Sequence, residues 1–301
     1  MSSLGEATSA DGYHTKDLIG PETGPMPSIR SALLSAALAL APQFACAQAK
    51  LDAHFVVTFA GVTIGKGNWV IEITDDQYTA AASGATTGLL RIFSTGAGTS
   101  AVRGAIVHGR LALGNYAATI TQDGETDTLR MLIAGGNVKE FSIVPQPPPP
   151  GPDRIPVTEA HLRGVTDPMS ASLLRMPGNA DPISPQACGR TVSIFDGRMR
   201  YDLQLAYKRM ERVKLDKSYE GPVVVCAIYF RPIAGYRPER AALKYLIAQR
   251  DMEVALAPIG GTRVLVPFWF KLPTPLGTGV LQATQFIASQ QPNVTPTKLG
   301  Q

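Results

Sequence analysis

"HFVVTFAGVTIGKGNWVIEIT", residues 54–74, decides the fold class. Apolar side chains recur at about every second position on both sides of Gly61, which puts alternate residues on opposite faces of a strand. Glycines at 61, 65 and 67 punctuate the run, so it reads as strand, turn, strand.

The same pattern extends along the chain. "QYTAAASGAT" (77–86) continues as a strand of small residues, and "TGLLRIFST" (87–95) reads either as a short helix or as a buried strand. Residues 100–144 give several more alternating runs, with Asp123-Gly124 and Gly135-Gly136-Asn137 as hairpin turns. "PQPPPPGPD" (145–153) interrupts them, because proline donates nothing to a ladder and favours polyproline II. Both flanks carry the same strand pattern, so it reads as a rigid surface excursion within one fold. "TDPMSASLLRM" (166–176) starts a helix, with Asp167 as N-cap and Pro168 in the first turn.

Beyond a second loop, "TVSIFDGRMRYDLQL" (191–205) is a hairpin turning at Asp196-Gly197. "GPVVVCAIYFRPI" (221–233) is a continuously apolar strand, and "RPERAALKYLIAQRDME" (237–253) has helical spacing with Ala242, Tyr245, Leu246 and Gln249 on one side. Three strands close the chain, turning at Gly260-Gly261 and around Pro273–Gly277. Without βαβ alternation, the expected fold is mainly β: an antiparallel meander curling into a barrel or half-barrel, with one or two short helices.

The N-terminus reads differently. Residues 1–25 are polar and lack apolar periodicity, as a disordered or mis-assigned extension would be. Residues 26–49 then resemble a secretory signal peptide: Arg30, an apolar run at Ala32–Ala41, and Ala-x-Ala sites at Ala45–Ala47 and Ala47–Ala49. The run is too short to span a bilayer, which takes roughly 20 residues. The domain plan is therefore a signal segment, one β-rich domain at 50–290 and a flexible tail at 291–301. The expected location is the periplasm, after cleavage near Ala47 or Ala49. The alternative is a lipoprotein anchored through Cys46. No transmembrane span is expected in the mature chain.

From Lys50 onward there are 26 Lys+Arg and 20 Asp+Glu. That basicity is too diffuse for nucleic acid and suits an anionic envelope surface. Two cysteines follow the signal segment, Cys188 and Cys226. In an oxidising compartment they are expected to form a disulfide.

The segments "FAGVTIGKGNWVI", "GVTDPMSASLL", "IFDGRMRYDLQL", "GPVVVCAIYFRPIAGYR" and "PLGTGVLQATQF" occur in the order seen in one bacterial exported family, catalogued as domain of unknown function 3108. The chain resembles that family over about residues 52–290; its helical "PERAALKYLIAQ" departs from the family pattern. The resemblance implies a β-rich envelope protein and supplies no catalytic residues.

Chemistry-bearing motifs are absent. His54, His108 and His161 stand apart, with no clustered ligands for a metal, no GxSxG elbow, no HExxH and no phosphate-binding glycine loop. No catalytic residue, metal or cofactor is therefore expected. Candidate ligand contacts are Arg198, Arg200 and Tyr207, from a basic run whose charges sit on a wet strand face, and Phe268, Trp269 and Phe270 of "VPFWF". On a regular strand Phe268 and Phe270 oppose Trp269, so aromatics occupy both faces. The expected function is a non-catalytic, envelope-associated binding protein for an apolar or amphiphilic ligand, with a lipid, a glycan or another envelope protein as partner. The alternative is an envelope-polymer hydrolase or transferase whose groups gather from distant strands. An apolar concave sheet favours the first; a pocket joining a carboxylate, a histidine and an arginine favours the second.

Overall fold

The computed structural model describes residues 47–87 and 95–292. Most of the signal-like segment, Cys46, the 88–94 stretch of "TGLLRIFST" and the last nine residues lie outside them. Among the described residues fourteen strands form the sheet. The first meander is β1 (Ala47–Phe59), β2 (Val62–Ile73), β3 (Gln77–Thr86), β4 (Gly96–Val107), β5 (Arg110–Gln122), β6 (Glu125–Ala134) and β7 (Asn137–Val144). After the two-residue β8 (Leu174–Arg175), a second meander runs through β9 (Arg190–Phe195), β10 (Arg200–Leu215), β11 (Tyr219–Ala234), β12 (Glu253–Pro258), β13 (Val264–Thr274) and β14 (Gly277–Pro292). The sheet is antiparallel and mainly β, as the period-two pattern predicts.

The two meanders join through the chain's ends. β14 pairs with β1 from Ala47↔Pro292 to Phe59↔Gly279, so the first and last strands form the middle of the sheet. Strand β1 thus begins ahead of the expected boundary at residue 50, and β14 runs two residues into the expected tail.

Sharp turns set the hairpin registers. Ala60-Gly61 and Asp123-Gly124 both hold two successive residues at positive φ, as tight two-residue hairpins require. Asp196-Gly197 turns β9 into β10 as expected: Asp196 Oδ1 accepts the N–H groups of Arg198 (2.8 Å) and Met199 (2.6 Å).

Strands β7 and β9 are the edges of an open path, so the sheet is a half-barrel. One stretch of chain spans the seam between them. The Val165 N–H donates to Gly136 O (2.7 Å), the Thr166 N–H to Ser193 O (2.9 Å), and the Phe195 N–H to Thr166 O (3.0 Å). Phe141 stacks edge-on against Phe195 at 5.2 Å, and Leu129 of β6 lies over Gly197.

Helix α1 (Pro168–Ala171) follows the seam directly. Asp167 caps it through Ser170 N (2.8 Å), as the sequence predicts, but it stops after one turn because Leu174–Arg175 leaves to pair with Leu265–Val264 as β8. The second helix, α2 (Ala241–Ala248), lies where helical spacing placed it.

Two apolar clusters occupy opposite faces of β11, since Val223 and Val225 belong to one and Val224, Cys226 and Ile228 to the other. The first fills the half-barrel and includes Leu51, Ile71, Phe286 and, from the seam segment, Val165, Met169 and Leu173. The second lies under the 174–188 segment, with Leu246 of α2 packed against it. Burial on both faces explains why "VVVCAI" is apolar without alternation. Cys188 and Cys226 meet in the second cluster as a disulfide with Cα atoms 5.4 Å apart, as the cysteine count predicts.

Candidate functional site

The inner face of β2, β3 and β4 lacks side chains where they would fill the half-barrel. Register pairs Phe55 with Gly67, Gly67 with Gly84, Gly84 with Gly98, and Gly98 with Ile120. Residues paired across an antiparallel ladder share a face, so three glycines stand in one transverse row between a phenylalanine and an isoleucine. The next row, Val57–Gly65–Thr86–Gly96–Gln122, is nearly as bare. Gly67 is required by packing as well: a Cβ there would meet Ser83 O at 2.7 Å.

These rows leave a cavity of about 720 Å³. Its walls are Phe55, Trp69, Tyr116 and Leu281, with Pro168 and Met169 of α1 covering it from within. Among the described residues Lys66 is the only charged one on the lining, and its place between Gly65 and Gly67 puts it on the outer face, where it is exposed. The row runs from a buried end to an open one: Phe55 is 6 % exposed and Ile120 is 58 % exposed. Trp69 is buried, and its indole N–H has no hydrogen-bond partner among the described residues.

Beneath the cavity, Asp167 sits among Tyr78, Tyr116 and Ser170. Tyr78 Oη and Ser170 Oγ share a hydrogen bond of 2.9 Å. Burial pushes the Asp167 carboxyl above the usual carboxylate range, against the pull of its hydrogen bonds from Ser170. Burial likewise raises Tyr78 and Tyr116 to about 12, with the Asp167 charge adding to both. Asp196 is also raised by burial, opposed by the Met199 and Arg198 amides. The chemistry this offers is structural: a satisfied N-cap that anchors α1 under the cavity.

None of the six residues expected to contact ligand lines this cavity. Arg198 is half-exposed and bridges the seam to Asp127 of β6 at 2.6 Å. Arg200 departs from the expected wet face. Its side chain is only 12 % exposed and it binds Asp202 (2.6 Å), which also accepts from Ser193 (2.7 Å). Tyr207 is exposed on β10. The aromatic trio corrects the simple alternation, because β13 bulges opposite Ala255/Leu256, where Leu256 pairs with Pro267 and Ala255 with Trp269. The extra residue, Phe268, is fully buried in the first cluster, and Trp269 packs against that same cluster. Phe270 packs against the second. All three serve cores.

Charged groups also meet on the sheet at Arg212, Lys214 and Glu220, and, more buried, at Lys208, Arg209 and Glu253. Arg209 Nη2 lies 3.1 Å from Glu253, and Lys208 also contacts that carboxylate. Burial raises the Glu253 carboxyl, but hydrogen bonds from Arg209 and Lys208 outweigh it and hold the group below its usual range. This is a satisfied ion cluster. No group of histidine, cysteine and carboxylate side chains suited to a metal occurs among the described residues, and no helix among them is long and apolar enough to cross a membrane.

Sequence reading missed the glycine row, although Gly65, Gly67, Gly84, Gly96 and Gly98 are all visible as strand glycines. The signal was an unusual density of glycine inside strand patterns, which marks close backbone approach or missing packing.

The family model described as "Protein of unknown function (DUF3108)" matches residues 54–284. No curated protein sequence matches the chain. Among solved structures, a beta-barrel-like protein of domain of unknown function DUF1849 from Brucella abortus is similar, with 8 % identity and a TM-score of 0.48. The match covers 80 % of this chain and 97 % of that one.

Proposed function

Because the chain belongs to the DUF3108 family, we propose that its half-barrel is an exported, non-catalytic binding module for an apolar or amphiphilic molecule. The cavity carries this reading. Its volume falls within the roughly 300–1,000 Å³ of small-molecule sites, and its walls are apolar with few polar groups. Among the described residues no carboxylate, histidine or arginine lines it, which favours binding over an envelope-polymer hydrolase or transferase. Export is supported by the signal-like segment 26–49 and by a disulfide, a bond that persists in oxidising compartments. Cleavage after Ala47 suits the fold better than cleavage after Ala49, since Ala49 is buried and pairs with both Ile73 and Gln290.

The test is native mass spectrometry of the protein purified from its own envelope, together with uptake of an apolar naphthylamine dye. A bound amphiphile and dye uptake at one site per chain are expected. A chain that carries no adduct and takes up no dye overturns the reading.

A further inference from the structure

The shape of the cavity narrows the class of occupant. From β1 to β5 the row crosses four inter-strand spacings of about 4.8 Å, with the Phe55 and Ile120 side chains closing its ends and three glycines leaving the stretch between them bare. The two bare rows lie two residues apart along each strand, or about 7 Å. A hollow with smooth backbone walls and few polar groups fits an extended hydrocarbon chain laid across the strands.

Charge fixes the direction. A charged head group buried without a counter-ion is strongly disfavoured, and among the described residues the lining offers no inward cation. The head must therefore lie at the open end, and register identifies what stands there. Ile120 pairs with Asp127, and Asp127 holds Arg198 across the seam. Both partners of that ion pair are about half exposed, and exposed pairs contribute about 0–1 kcal/mol, so Arg198 exchanges partners at little cost.

Resting on the binding reading above, we propose that the cavity holds one linear acyl chain laid across β1–β5. Its methyl end lies at Phe55, and its carboxylate lies beside Ile120, within reach of Arg198. The wall can be tested without breaking it. At Gly98 a Cβ meets nothing closer than Thr119 O at 3.5 Å, and at Gly84 nothing closer than Lys66 O at 3.4 Å. Both are ordinary contacts, so larger side chains there project into the hollow. Thr99 lies on the opposite face and serves as control.

The protein has two tryptophans, and Trp269 does not line the cavity, so Trp269→Phe leaves Trp69 as sole reporter. In that background, saturated fatty acids of increasing length should shift Trp69 emission at one per chain. Affinity should rise about fourfold per added methylene until the hollow is full, and then level off. Gly98→Leu and Gly84→Val, checked for folding by circular dichroism, should each abolish the signal, whereas Thr99→Leu should leave it intact. Arg198→Ala should weaken a fatty acid about tenfold and a primary alcohol of equal length hardly at all. Affinity independent of chain length, a sterol bound as tightly as the longest chain, or full binding in both glycine variants overturns the chain assignment. Equal losses for acid and alcohol in Arg198→Ala overturn the head placement. If the naphthylamine dye still enters the cavity in those cases, only this assignment falls; if no probe enters, the binding reading falls with it.

Discussion

Replacing both Cys188 and Cys226 with alanine removes the disulfide that ties the 176–188 segment to β11. The bridge joins residues 38 apart in sequence. Loop-closure entropy for that separation stabilises the folded state by about 4 kcal/mol in the chain-entropy model. Its Cα–Cα distance of 5.4 Å is the common one, and both cysteines are 0 % exposed inside the second cluster, so the bridge fits the packing around it. For a domain of this size each kcal/mol moves the midpoint by about 2–4 °C. The double variant should therefore melt about 8–16 °C below the wild type, followed by far-UV circular dichroism. The loss should begin locally. Without the bridge the segment keeps the packing of Ile183 and Ala187 and, at its start, Met176 N–H to Arg263 O (2.8 Å) and Arg263 to the carbonyls of Met176 (3.0 Å) and Pro177 (2.9 Å). Limited proteolysis should then cut within 177–186 before any strand. A midpoint within about 2 °C of the wild type would refute the loop-closure argument. Thiol labelling of both cysteines in the denatured, unreduced protein would refute the bridge itself.

Other expectations follow from single contacts. Burial raises the folded pKa of Asp167 above the ordinary aspartate value of 3.8, so its contribution is fully present below 3.8 and is lost as pH rises through the raised value. Asp167→Asn, which keeps an N-cap acceptor, should flatten that decline; urea midpoints of both proteins between acid and neutral pH check it, and parallel curves would contradict it. Gly67→Ala forces a Cβ to 2.7 Å from Ser83 O and should cost about 1–3 kcal/mol, whereas Gly84→Ala should be close to neutral in the same denaturation assay. At the seam, Phe195→Ala empties a site 1 % exposed and should cost about 3–5 kcal/mol. Loss of the exposed Arg198–Asp127 pair should cost less than about 1 kcal/mol. Comparable losses would show that charge contributes as much as packing at the seam.

The sequence by itself determined the local decisions. Period-two patterning made the strands, Asp123-Gly124 and Asp196-Gly197 made the turns, Asp167-Pro168 started a helix, and two cysteines after a signal-like segment paired. Each depends on residues a few positions apart, or on a count that leaves one partner. Tertiary structure decided everything that depends on register between distant strands. Pairing β1 with β14 put the chain's ends at the centre of the sheet. A bulge opposite Ala255/Leu256 turned Phe268 and Trp269 toward one core, and the Asp202 partner drew Arg200 out of solvent. The cavity belongs to this second group. Gly67, Gly84 and Gly98 lie on three different strands, and only their lateral alignment turns three separate gaps into one hollow. Alternation fixes which face a residue takes, but it does not fix which residue of the next strand lies beside it.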